Sequence, residues 1–177
     1  MRTDALIVLA PIVDGQVDAV HEVVEDLPDG DGSPFARVFG THVARLTVID
    51  GLENRELKRD PESDSYLLFS TDIDGDPEVH VERLRTGLGE QADAIWGRCA
   101  AYPGASRARA FRGWMLEHRV PAGFTVAPYR NTSVEDIREA LDARRRLVEF
   151  ELAAAGLGPA ELKAAWLSEF GDGRGTR

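Results

Sequence analysis

Three side chains in two short stretches have the types and spacing for acid–base and anion chemistry. His42 and Arg45 stand three residues apart in THVARLTVID, residues 41–50, and Asp72 lies in SYLLFSTDID, residues 65–74. A neutral imidazole at His42 has the chemistry of a general base or a haem ligand. A guanidinium at Arg45 grips a carboxylate, enolate or phenolate through two parallel N–H bonds. Asp72 either neutralises Arg45 or accepts a proton. The hydroxyls of Thr47, Tyr66, Ser70, Thr125 and Tyr129 are the candidates for orienting a polar substrate group. Each residue also has a plain structural reading. His42 is then a rim histidine bonded to a loop carbonyl, Arg45 is spoken for by Asp72, and the hydroxyls belong to an amphipathic sheet face.

Both stretches alternate with a period of two, the mark of half-buried strands. In the first, Ala44, Leu46 and Val48 oppose Val43, Arg45, Thr47 and Ile49. In the second, Leu67, Phe69, Thr71 and Ile73 oppose Tyr66, Leu68, Ser70 and Asp72. Antiparallel pairing with Asp50 opposite Ser65 keeps the two apolar faces together, which is what selects a register. It sets Arg45 across from Ser70 and one diagonal step from Asp72. His42 shares the parity of Ala44, so it reaches the mixed face only if the strand end twists. A guanidinium on a half-buried face is costly unless paired.

The rest of the chain supplies a frame. Residues 5–13 (ALIVLAPIV) are apolar on both sides, as in a central strand. Asp14 is the expected N-cap of a helix over 16–27. Residues 28–40 form a Gly/Pro/Asp-rich loop, whose Phe35, Val38 and Phe39 are expected to fold over an edge or a pocket mouth. Asp76-Pro77 opens a second helix with cap and first-turn proline in place. Asp72, Asp74, Asp76 and Glu78 read as a surface N-cap cluster rather than a calcium loop, because the glycine is misplaced and no acid fills the last ligand position. His80 is placed on a helix flank, and His118 near a helix C-terminus. Further helices are expected over 91–99, 107–119, 134–155 and 160–170, and a fourth strand over 123–129 (GFTVAPY). The expected fold is α+β: a ferredoxin-like βαββαβ antiparallel sheet, helices on one face, and two extra C-terminal helices. Residues 1–155 form the expected domain and 156–177 a helical extension with a tail.

Composition sets limits on partners. The formal net charge is −10 over 177 residues, which opposes encounter with a phosphate backbone or an anionic membrane. No stretch is long and apolar enough to cross a bilayer. The lone Cys99 forms no internal disulfide, as expected in the cytoplasm. No phosphate loop, zinc spacing or nucleophile elbow is present, so no metal site is expected.

Four runs, THVARLTVID, YLLFSTDIDG, DAIWGRCAAYPG and PYRNTSVEDIREAL, together resemble a bacterial family of ferredoxin-like fold with no settled activity. The likeness spans roughly residues 35–148, and the fold it implies is similar to that of dimeric α+β barrel proteins. Those include cofactor-free monooxygenases, small cyclases and isomerases, and haem proteins of the chlorite-dismutase and dye-decolourising peroxidase kinds. The peroxidases carry Gly-x-x-Asp-Gly. The matching stretch here is Thr71-Asp72-Ile73-Asp74-Gly75, with Thr71 in place of the first glycine. The resulting expectation is a homodimeric small-molecule enzyme with a cup on the open sheet face. It would act without cofactor on a small, largely apolar organic substrate by proton transfer, cyclisation, isomerisation or oxidation. A haem-binding relative and a non-catalytic interaction protein are the alternatives.

Overall fold

A computed structural model describes residues 3–50, 65–123 and 131–171. The chain divides into two compact units, 1–134 and 135–177. In the first, β1 (Thr3–Pro11) leads through α1 (Val17–Glu25) to β2 (Thr41–Ile49), β3 (Tyr66–Asp74), α2 (Pro77–Leu88), α3 (Glu90–Trp96) and α4 (Ala108–Glu117). The fold is α+β with a three-stranded antiparallel sheet in the order β1-β3-β2. The fourth strand expected over 123–129 falls outside the described residues from residue 124 onward.

The alternation read from the sequence sets the layering. Leu6, Val8, Ala10 and Ile12 of the first strand and its extension, with Leu67, Phe69 and Ile73 of β3, are at most 1 % exposed. Ala44, Leu46 and Val48 of β2 pack against the same core. The helices bury residues at helical spacing: Val81, Leu84 and Leu88 in α2, Ile95 and Trp96 in α3, Phe111, Trp114 and Met115 in α4. Burying one such side chain contributes about 1.5–3 kcal/mol. A run of aromatic contacts crosses this core, from Phe35 to Phe69 (5.5 Å) to Trp96 (5.5 Å) to Phe111 (6.2 Å). Phe35 and Val38 are thus core residues, while Phe39 stays 59 % exposed beneath the Arg83 guanidinium.

The outer edge of β1 is paired by two short segments. Leu9 N–H donates to the His118 carbonyl and Val120 N–H to that of Ile7. Val13 N–H donates to Arg98, and Ala100 N–H to Pro11. These bonds satisfy backbone groups that an open edge would leave to solvent or to another strand.

Two capping expectations divide. Asp76 caps α2, its carboxylate accepting from the Glu78 and Val79 N–H groups at 2.7 and 3.2 Å. Asp14 does not cap α1: that helix starts after Gln16, with no side-chain cap bond.

The second unit consists of α5 (Val134–Ala153) from Glu135 onward and α6 (Pro159–Phe170), so the long helix expected to close the first domain groups with the last one, while Val134 itself belongs to the first unit. Phe150, Trp166 and Phe170 form its aromatic contact, with ring centroids 4.5–5.4 Å apart. Arg146 donates to the Glu169 carboxylate at 2.8 Å and lies over the Phe170 ring. An apolar groove of about 610 Å³ runs between the helices, lined by Leu147, Phe150, Leu162 and Trp166 among others. No residue of either helix is buried. Among the described residues no helix is long and apolar enough to cross a membrane.

Candidate functional site

The site begins with an irregularity in β2. Pairing with β3 steps from Thr41↔Ile73 to Val43↔Asp72, which leaves His42 as the extra residue of a β-bulge. A bulge breaks the alternation and re-aims the side chains beside it. Thr41 therefore shares the buried side with Ile73, and His42 leaves the parity of Ala44. Its Nε2 lies 2.9 Å from Asp74 Oδ1. Asp74 stands on the same alternation as Tyr66, Ser70 and Asp72, so the bulge supplies the turn of the strand end that the sequence left open.

Asp74 is unlike a surface acid. Its side chain is 1 % exposed, whereas that of His42 is 16 % exposed. Oδ2 accepts from the Val134 backbone N–H at 2.9 Å, its own N–H donates to the Gly40 carbonyl at 2.8 Å, and its carbonyl accepts from Arg83 at 3.3 Å. A buried carboxylate with this set of donors is fixed in place, and it fixes the imidazole. With Nε2–H donated to Asp74, a neutral His42 carries its lone pair on Nδ1.

His80 lies on the other side of this strand end, on the buried stripe of α2. It is wholly buried, its Nε2 is 3.5 Å from Thr41 Oγ1, and Nδ1 has no hydrogen-bond partner among the described residues. Burial, then the Arg83 charge, pushes its pKa down to about 4, against an opposing pull from Asp74. The imidazole is neutral at physiological pH. It was expected on a helix flank. A histidine at the position between Pro77 and Leu84 falls on the inward stripe, and the apolar neighbours of that stripe seal it.

The other expected residues form a second group on the open face. Cross-strand rows run Ala5–Asp72–Val43, Ile7–Ser70–Arg45, Leu9–Leu68–Thr47 and Pro11–Tyr66–Ile49. Arg45 is opposite Ser70, the register expected from the sequence, and its guanidinium is 4.0 Å from the Asp72 carboxylate. The expected half-buried guanidinium is not found in the single chain. The Arg45 side chain is 61 % exposed: among the described strands β2 is an outer one, and Arg45 lies on the face opposite the core. Asp72 is 41 % exposed and is no partner of His42. Thr125 and Tyr129 lie outside the described residues.

No family model, curated protein or solved structure matches the chain.

The chemistry therefore rests on geometry. His42 with its Nε2 on a buried carboxylate is arranged as a base, and that bond occupies the nitrogen that a haem-ligand role would most readily use. Among the described residues no three His, Cys, Asp or Glu side chains converge on a metal position. Cys99 is core: it is 3 % exposed and burial pushes its thiol up to about 12. His118 directs Nδ1 to the Trp114 carbonyl at 2.8 Å, a local helix-end contact. Sequence reasoning missed Asp74 by grouping it with the exposed acids that follow. The available signal was its position as the last residue of the alternating run, before Gly75 turns the chain with φ +88°.

Proposed function

We propose that the chain is a small-molecule enzyme in which His42, oriented by Asp74, moves a proton on a substrate laid along the open sheet face. The observation that carries this reading is the 2.9 Å contact between His42 and a carboxylate that is 1 % exposed. Such a pairing holds one tautomer and stabilises the imidazolium formed when Nδ1 takes a proton. Arg45 holds a carboxylate, enolate or phenolate of the substrate, and Tyr66, Ser70 and Thr47 orient it. The rows beside them contribute Ile7, Leu9, Leu68 and Ile49, which suits a substrate with a large apolar part. Proton transfer and isomerisation need only these groups.

The finer fold reading belongs with this proposal. The order β1-β3-β2, with α1 between the two parallel outer strands, is that of the first three strands of a ferredoxin-like unit. In this reading the protein is a cytoplasmic homodimer. The exposure of Arg45 favours a second reading, in which the open face docks a protein rather than a substrate.

The test uses a panel of small aryl and alkyl carboxylates and phenols, screened by thermal shift. Ligands that stabilise the protein are then followed by proton NMR in D₂O for exchange at their acidic C–H. His42→Gln should retain binding and lower exchange at least about 100-fold, while Arg45→Ala should lose binding. Exchange that is unchanged in His42→Gln would remove the catalytic reading.

A further inference from the structure

The second unit holds an apolar surface that the α5–α6 contact does not use. On α5, Phe150 and Arg146 face α6, where they meet Trp166, Phe170 and Glu169. Ile137, Leu141, Val148 and Leu152 fall within about 60° of arc on the far side of the same helix, at 3.6 residues per turn. They are 38, 57, 45 and 75 % exposed. A hairpin of two helices with no buried residue has little core of its own, and units of this size usually lean on a further partner.

The spacing of this stripe specifies that partner. From Ile137 the steps are four, seven and four residues, the same from either end. An antiparallel copy related by a two-fold axis beside Arg144 and Arg145 would set Ile137 against the copy's Leu152, and Leu141 against its Val148. One flank carries Arg138, Asp142, Arg145 and Glu149, of alternating sign and with steps of four, three and four. Reversed, that row reads acid, base, acid, base, so each charge meets its opposite within about one helical turn. Within one chain Arg145 already pairs with Asp142 at 2.9 Å, which holds the row in place. Arg144, on the other flank, approaches its own copy.

We infer that the outer face of α5 is a two-fold interface, occupied by α5 of a second copy of this chain running antiparallel to it. A self-complementary patch is what an isologous contact demands. It differs from sheet-to-sheet pairing, since the residues it uses belong to α5 and not to the sheet.

The experiment is sedimentation of the full chain. The wild type should run at twice the 19.4 kDa of one chain. Val148→Glu should weaken association at least about tenfold, with the helix content by circular dichroism unchanged because the residue is exposed. Asp142→Arg and Arg145→Asp should each weaken it, and the double exchange should restore it, since residues 142 and 145 then again meet opposite charges across the axis. Arg144→Leu should tighten it. A monomeric wild type, or a dimer indifferent to Val148→Glu and to the single charge reversals, would overturn the inference. A monomer whose thermal unfolding drops in Val148→Glu would assign the stripe to a contact within the chain instead.

Discussion

Asp72 and Asp74 stand two residues apart on the same strand and the same alternation, yet they live in opposite environments. Asp72 is 41 % exposed and faces Arg45 across 4.0 Å, a distance and setting in which water screens the charges. Asp74 is 1 % exposed and accepts from His42 and from the Val134 N–H, both at 2.9 Å. The first is a surface ion pair that a ligand can enter. The second is a fixed carboxylate that orients the His42 imidazole. Two residues along one strand separate a group open to solvent from one that organises the strand end.

The largest expected effect separates the two acids directly. Asp74→Ala leaves the half-buried Val134 N–H and the His42 ring without their acceptor, and should cost about 3–5 kcal/mol. Asp72→Ala should stay within about 0.5 kcal/mol. Urea unfolding of the two variants beside the wild type checks this. Similar losses would mean that the burial of Asp74 does not confer the difference.

A second effect belongs to the buried side alone. The His80 pKa is depressed from 6.5 to about 4, so between those values the unfolded chain binds the proton that the folded protein refuses. Stability from this group is fully present above pH 6.5 and is lost as pH falls toward 4, by about 3 kcal/mol in all. His80→Leu should flatten that part of the stability–pH curve, whereas Asp72→Ala should leave it. An unchanged slope in His80→Leu would place the acid sensitivity elsewhere.

Much of this was legible in the residues. The pairing of β2 with β3 followed from keeping Leu46 and Phe69 on one side, and Arg45 opposite Ser70 came with it. What could not be read was the step at Thr41/Val43. A bulge inserts one residue at little energetic cost, and periodicity counted along one strand cannot show where its partner skips. Parity alone therefore sets His42 on the helix side. The exposure of Arg45 was hidden for another reason. Alternation says which face a side chain takes, not whether its strand lies at the edge of the sheet. The grouping of α5 with α6 was unreadable because α5 is apolar on two sides, with Phe150 on one and Leu141 on the other.

The corner that brings His42 to Asp74 should respond to backbone change by a smaller amount. Gly40 has φ +79°, and a Cβ there would lie 3.0 Å from the Arg83 side chain and 3.1 Å from the Asp74 Cβ. Gly40→Ala combines left-handed strain with crowding, and should cost about 1–3 kcal/mol. The His42 ring resonances should shift with it, while those of the Arg45 side chain stay. A neutral substitution with unmoved His42 signals would show that the corner tolerates rearrangement.

The smallest effect is the most informative about the open face. A double-mutant cycle on Arg45→Ala and Asp72→Ala should give a coupling of at most about 0.5 kcal/mol, falling further as salt is added. That follows from side chains 61 % and 41 % exposed at 4.0 Å. Coupling rises when charges are desolvated. If a small anion seats on Arg45, it should displace Asp72 and bring the coupling to zero while the anion is bound. If a macromolecular face covers the pair in solution, the coupling should exceed about 1 kcal/mol and resist salt. The cycle, run with and without ligand, thus separates a site that is open and waiting from a face that is already occupied.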